Sequence, residues 1–365
     1  MADIPLSEQL FGFVDDLERT LDCDPAGPFD CDNIILCGVG GSAVSGDFAA
    51  DCCFTRSVKP IRLVKIPDIP SWAGPRTLAV VSSYSGNTAE TLEMYRQARD
   101  RGCLIVAVTS GGRLGELAEE NGDRVMVLPK SMQPRHAIGY MIGYTLAIIR
   151  AAGGPDLSDE IRAFLPSLRA YRDANVLPEG CEARRLAASL EGKVPVVCSD
   201  ASMRSVAFRW KTQINENSKF VAFCDSLPSF GSGSLEAWKG TSRSNYALVA
   251  LIGCDDPMCD SASALEATVS ELESAGAPVT AVRLGGSSTL ENMFRAIILG
   301  DYVSMHMAHA RGIDPAEVRP VMQMKAKLSG RWNARPQRRP ASVLSNSSTN
   351  PDERFSAVSA SLDSE

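Results

Sequence analysis

Between Asn33 and Leu92 the chain twice repeats one local design: a short apolar or β-branched run, a turn of small residues, then a helical pattern. Ile34-Ile35-Leu36-Cys37 leads into Gly38, Gly40, Gly41 and Ser42. Leu78-Ala79-Val80-Val81 leads into Ser82, Ser83, Ser85, Gly86, Asn87 and Thr88. A strand that turns through Gly and Ser into a helix start leaves backbone N–H groups converging on one point, which suits an anion, phosphate above all. The spacing is neither G-x-G-x-x-G nor G-x-x-x-x-G-K-[ST], which argues against a nucleotide. One such turn is ordinary βα-loop chemistry. A second, rich in hydroxyls and with Glu90 in the first turn of its helix, turns the argument toward one phosphorylated ligand shared by two turns.

The rest of the chain extends this alternation. A helix over Ser7–Leu21 is expected first, then strands at Asn33–Cys37, Ile61–Lys65, Leu78–Ser82, Leu104–Thr109 and Arg124–Leu128. The intervening helices are Ala43–Cys53, Ala89–Arg101 and Leu114–Asn121, and the long apolar helix Ile138–Ala152 closes the round. Gly153-Gly154-Pro155 interrupts the pattern, a helix follows at Ser158–Tyr171, and a second round begins. Its strands are expected at Val194–Ser199, Tyr246–Ile252 and Pro278–Leu284. Its helices are expected at Ser202–Asn215, Ser261–Ser274, Leu290–His309 and Pro315–Leu328. Strands alternating with helices predict an α/β fold of two doubly wound parallel-sheet domains, residues 1–153 and 154–330. Residues 331–365, rich in Arg, Pro, Ser and Asn without apolar periodicity, read as a disordered tail.

Composition bounds the function. A net charge of −7 makes nucleic acid or an anionic membrane an unsuitable main partner, and no apolar run approaches a membrane span. The N-terminus MADIPLSEQL has no signal-peptide pattern, so a cytoplasmic protein is expected. The 11 cysteines are scattered without a C-x-x-C pair and read as reduced, mostly buried thiols. No metal or cofactor is called for; His306 and His309 have the i, i+3 spacing of two ligands, but no carboxylate or cysteine pattern accompanies them.

GVGGSAVSGD and SSYSGNTAETL resemble the two substrate loops of the sugar isomerase (SIS) domain family. SMQPRHAIGY and FRWKTQINENSK narrow the resemblance to the bifunctional phosphoglucose/phosphomannose isomerases, over about residues 30–328. It implies SIS-type, flavodoxin-like domains, a phosphorylated sugar as substrate, and a homodimer. It implies that Gly40, Gly41, Ser42, Ser83, Ser85 and Thr88 hold the substrate. Arg135 of QPR would stabilise an enediolate, Glu216 of INENSK would carry the proton between C1 and C2, and Lys325 would stand near the substrate. The turn Ser199-Asp200-Ala201-Ser202 has no glycine and carries an acid, which places the phosphate on the first round's loops alone.

The chain departs from the family at one point. Where the family has Asn-His-Asn-Glu, with the His as ring-opening acid/base, this chain has LPSFGSGSLEAW, with Ser232 at the His position and Ser234 at the Glu position. A serine hydroxyl does not exchange a proton near neutral pH as imidazole does. Three readings stay open: an aldose–ketose isomerase of glucose 6-phosphate, mannose 6-phosphate and fructose 6-phosphate; a sugar-phosphate-binding regulatory protein without turnover; and an isomerase of another, open-chain phosphosugar.

Overall fold

The computed structural model describes residues 5–176, 179–240, 245–253 and 260–321, together with positions 323, 324 and 327. Its first sheet is built from β1 (Asn33–Gly38), β2 (Ile61–Val64), β3 (Thr77–Ser82), β4 (Leu104–Thr109) and β5 (Arg124–Val127). All pairings are parallel and the spatial order is β2-β1-β3-β4-β5. The second sheet holds β6 (Val194–Ser199), β7 (Phe223–Ser226), β8 (Tyr246–Ile252) and β9 (Val279–Arg283), also parallel, in the order β7-β6-β8-β9. The two orders match over four strands, so the second round does repeat the first.

Helices cover the sheets: α1 (Leu6–Phe11), α2 (Phe13–Glu18), α3 (Val44–Cys53), α4 (Ala89–Asp100), α5 (Gly112–Glu120), α6 (Ile138–Ala151), α7 (Ser158–Val176), α8 (Glu182–Ser189), α9 (Arg204–Asn217), α10 (Leu235–Gly240), α11 (Asp260–Ser274) and α12 (Thr289–Ala310). Interior strands are buried on both faces, which is why β1 and β3 read as unbroken apolar runs. The core does not part at Gly153-Gly154. Phe294 on α12 stacks against Phe48 of α3 at 4.8 Å between ring centroids, Phe164 of α7 at 5.8 Å and Phe13 of α2 at 6.3 Å. The described residues up to 323 accordingly cluster as one compact unit, within which residue 153 marks a change of sheet.

Three expectations are corrected. The single N-terminal helix is two, α1 and α2, meeting at Gly12. Pro315 lies in a turn in which Ala316 N–H donates to the Asp314 carboxylate, and helical residues begin only at Arg319. The edge strand β7, the helices α8 and α10 and a π-helical turn at Phe230–Ser234 were not expected from the sequence. Residues 331–365 lie outside the described residues. Among those described, no helix is long and apolar enough to cross a membrane.

Helix α9 is set against α12 with little room to slide. The Trp210 indole, fully buried, donates to Ala296 O at 2.7 Å, and a Cβ at Gly300 would lie 2.4 Å from its Nε1. Only glycine at position 300 admits this approach. That contact fixes α9, whose last turn carries Glu216.

Candidate active site

The first anion turn runs from β1 through Gly40, with φ +60°, and a short 3-10 turn over Gly40–Ala43 into α3. No side chain caps its N–H groups. Gly41 faces the third loop closely: a Cβ there would stand 3.7 Å from Arg135 Cα. The second turn, after β3, bends through Gly86 at φ +67°, where a Cβ would overlap Gly111 O at 1.8 Å. Here glycine is obligatory for space and for backbone angle together. The Ser83 hydroxyl is within 3.2 Å of Thr88 Oγ1, and Thr88 is the uncapped N-cap of α4. Asn87 N–H donates to Ser85 Oγ at 3.3 Å.

Tyr84 ties these turns into one assembly. Its N–H donates to Ser42 Oγ at 3.1 Å, and its hydroxyl donates to Pro129 O at 2.8 Å while accepting from Met132 N–H at 2.9 Å. The same residue therefore holds the β1 turn, the β3 turn and the segment leading to Arg135. Burial pushes its phenol pKa up, and the Met132 N–H bond pulls it back.

Arg135 is only 3% exposed and every arm of its guanidinium is engaged. Nε donates to Asn217 Oδ1 at 2.8 Å, Nη1 to Gln133 Oε1 at 3.3 Å, and Nη2 to Pro315 O at 2.8 Å. Nη1 also lies 3.8 Å from the Glu216 carboxylate, whose side chain is 36% exposed. Burial pulls the Arg135 pKa down, and Glu216 pulls the other way. Behind the pair stands a buried polar scaffold. Arg209 donates to Arg135 O at 3.0 Å and to Asp301 at 2.7 Å, and Gln213 donates to Asp301 at 2.9 Å. Asn217 Nδ2 donates to Ser304 Oγ at 2.9 Å. Burial raises the Asp301 pKa and Arg209 counteracts it. The scaffold holds Arg135 against the last turns of α9, the helix that carries Glu216.

A pocket of ≈ 90 Å³ is walled by Gly40, Gly41, Lys65, Arg135, Gln213 and Glu216 among others. The structure thus brings together the first turn, the guanidinium and the carboxylate that the sequence singled out. Ser42 joins them through Tyr84; Ser83, Ser85 and Thr88 belong to the neighbouring turn and are not among the walls. Lys325 lies outside the described residues. Lys65 is a wall that sequence reasoning missed, held by Asp47 at 2.5 Å. Ser232 donates to Ser229 O and Ser234 to Asp225 Oδ2, both within their own segment, and neither lines the pocket. His136 is buried with both ring nitrogens unpartnered, while His306 and His309 line a different cavity. Among the described residues no three His, Cys, Asp or Glu side chains are grouped as metal ligands.

The chemistry available here is that of a carboxylate poised against a fixed cation, beside a turn that presents backbone N–H groups to an anion. Residues 180–328 match the family described as the bacterial phospho-glucose isomerase C-terminal SIS domain. A protein of Caldicellulosiruptor bescii named bifunctional phosphoglucose/phosphomannose isomerase is 30% identical over 311 residues, covering 82% of this chain and 90% of that one. A D-glucosamine-6-phosphate 4-epimerase of Sulfolobus acidocaldarius is 29% identical over 235 residues, 63% of this chain and 71% of its own length. Among solved structures, the tagatose-6-phosphate ketose/aldose isomerase of Escherichia coli superposes with a TM-score of 0.65 at 14% identity, covering 87% and 98% of the two chains. That likeness is one of fold.

Proposed function

Given that the chain belongs to the bifunctional phosphoglucose/phosphomannose isomerase family and is a sugar-phosphate isomerase, we propose that it interconverts glucose 6-phosphate and mannose 6-phosphate with fructose 6-phosphate through an enediolate. The observation that carries this reading is the 3.8 Å approach of the Arg135 guanidinium to the Glu216 carboxylate in a pocket walled by Gly40 and Gly41. Glu216 takes the proton from C2 of the aldose and returns it to C1 while the hydroxyl proton passes from O2 to O1, so C1 is reduced as C2 is oxidised and no co-substrate is consumed. Arg135, immobilised by Asn217, Gln133 and Pro315, faces the negative charge that develops on the oxygens of the enediolate. Because its position is set before substrate arrives, little reorganisation is needed in the transition state. The turns of Gly40, Gly41 and Ser42 and of Ser83, Ser85 and Thr88 hold the phosphate, and Lys325 stands near the sugar. The working form is a homodimer.

The experiment is a coupled assay on fructose 6-phosphate that reads glucose 6-phosphate and mannose 6-phosphate separately. Wild-type turnover is expected, with Glu216→Gln lowering kcat by at least about 10³-fold, the upper part of the range that general base catalysis supplies. Turnover undiminished in Glu216→Gln would remove the carboxylate from the mechanism.

One observation supports a second reading. Ser232, at the position where the family resemblance places the ring-opening histidine, spends its hydroxyl on Ser229 O. A substrate that arrives open-chain, or a protein that binds sugar phosphate without turning it over, needs no such group. The similarity to a protein named as a 4-epimerase also separates family membership from a fixed substrate. Fructose 6-phosphate that raises the melting temperature without being converted would favour this reading.

A further inference from the structure

A cavity of ≈ 630 Å³ lies between α8 and the C-terminal end of α12, and it shares no lining residue with the Arg135–Glu216 pocket. Its polar lining is basic: Arg184 from α8, and His306, His309 and Arg311 from α12 and the residue beyond it, against the single carboxylate of Glu191. Among the described residues no carboxylate pairs with Arg184, His306 or His309. Burial, and after it the neighbouring Arg184 and His309, hold the His306 pKa below its usual value, so the fixed positive charge of the lining is that of Arg184 and Arg311. Two arginines and two histidines against one carboxylate make this lining basic in a chain of net charge −7.

The helix dipole accounts for part of this and not for the rest. His309 and Arg311 follow the preference for cations at a helix C-terminus. Arg184 sits in the first turn of α8, where the dipole disfavours a cation. The remaining lining is apolar, including Leu190, Phe220 and Met307, with small residues leaving open wall between them. Asparagine, glutamine, serine and threonine, which would match the hydroxyls of a sugar, do not line it.

From this division of the walls we infer that the α8–α12 cavity is a second ligand site, taking a phosphomonoester with a flat apolar or aromatic body, distinct from the sugar-phosphate pocket. The phosphate pairs with Arg184 and His309, and the body lies on the Leu190 and Met307 side; the Phe220 ring carries the Arg311 guanidinium at 4.5 Å, and His306 Nε2 faces Cys181 Sγ at 3.8 Å. The inference stands independently of the proposed isomerase activity.

The test is equilibrium dialysis of the full chain with 1-naphthyl phosphate. Saturable binding of one equivalent is expected, retained in Ser83→Ala, which alters the phosphate turns. Arg184→Glu is expected to weaken it at least about tenfold, since a charge-assisted pair is replaced by repulsion. Ala188→Trp, which fills the cavity from its exposed rim without changing charge, is expected to do the same and guards against a folding defect in the charge variant. No saturable binding with a Kd below about 1 mM would overturn the site. So would binding unchanged in both cavity variants, or loss confined to Ser83→Ala. A change of oligomeric state in Arg184→Glu and Ala188→Trp, with no probe binding in wild type, would make the surface a subunit contact instead.

Discussion

The β1–α3 turn and the β6–α9 turn occupy the same place in the two sheets, each following the strand second from the edge, yet they meet anions in opposite ways. In the first, Gly40 and Gly41 keep side chains out of the turn and no cap satisfies its N–H groups. In the second, buried Asp200 turns its own carboxylate inward, accepting from Ser202 N–H at 2.8 Å and from the Ser202 hydroxyl. One turn is left open to an outside anion and the other is filled by a resident one. Between these two turns of a repeated architecture the difference lies at the helix entrance, glycines in one and a capping aspartate followed by residues with side chains in the other.

The largest effect is expected from breaking the open side. At Gly86 a Cβ would lie 1.8 Å from Gly111 O and 2.8 Å from Gly111 C, at a backbone φ of +67°. The obstacle is backbone, so it cannot rotate away. Gly86→Ala should cost about 3 kcal/mol or more in denaturant unfolding and abolish sugar-phosphate affinity. An unfolding midpoint equal to wild type would show that the turn yields freely and that its shape is not enforced.

A second substitution transplants the filled solution into the open turn. A Cβ at Gly41 meets Arg135 at 3.7 Å, an ordinary contact, so Gly41→Asp fits. Its carboxylate would bring a resident negative charge into the open turn, though from inside the 3-10 turn rather than from the N-cap position that Asp200 holds in the other sheet. The KM for fructose 6-phosphate should rise about 100-fold, or about 2.7 kcal/mol, with the thermal midpoint nearly unchanged. Unaltered KM would place the phosphate elsewhere.

The joint between the two sheets carries its own signature in pH. His136 is buried with both nitrogens unpartnered, and burial with Arg135 and Arg209 holds its pKa well below the usual value. The folded chain excludes the proton that the unfolded chain accepts near pH 6.5, so stability is intact above that pH and falls below it. The slope from this one group approaches about 1.4 kcal/mol per pH unit. Asp16 acts in the opposite sense: burial raises its pKa to about 6, so the folded chain keeps a proton and gains stability as pH falls from there toward the unfolded value. The test is thus the difference between His136→Phe and wild type, which should vanish as a function of pH above 7 and grow in favour of the variant below 6. A constant difference would mean that His136 is already charged or solvated.

What the sequence disclosed follows from what each residue touches. The buried strands β1, β3 and β8 announce themselves because helices cover both faces, whereas β7, Phe223-Cys224-Asp225-Ser226, lies at a sheet edge, half exposed, and has no apolar run to betray it. Gly40, Gly41, Arg135 and Glu216 were legible as motif residues, and the structure gathers them round one pocket. Tyr84 was not, since its partners Ser42, Pro129 and Met132 are more than forty positions away in the chain and nothing local marks a bridging phenol. Asp301 left a readable trace: an acid within the apolar stretch Ala296-Ile297-Ile298-Leu299-Gly300 and Tyr302-Val303 demands a buried partner, which Arg209 and Gln213 supply.

The smallest effect tests whether charge alone keeps the second turn closed to ligands. Asp200→Ala removes the cap bonds to Ser202 and should cost about 1 kcal/mol of stability. Asp200→Asn keeps an accepting oxygen in the same place and should cost a few tenths of that. Neither should create a second phosphate equivalent in a dialysis titration with inorganic phosphate, because Asp200, Ala201 and Ser202 bring side chains to a turn whose counterpart relies on Gly40 and Gly41 to let a ligand approach the backbone. If Asp200→Asn did bind a second equivalent, the resident charge would be the whole of the distinction between the two turns, and the glycines of the first would matter for shape rather than for access.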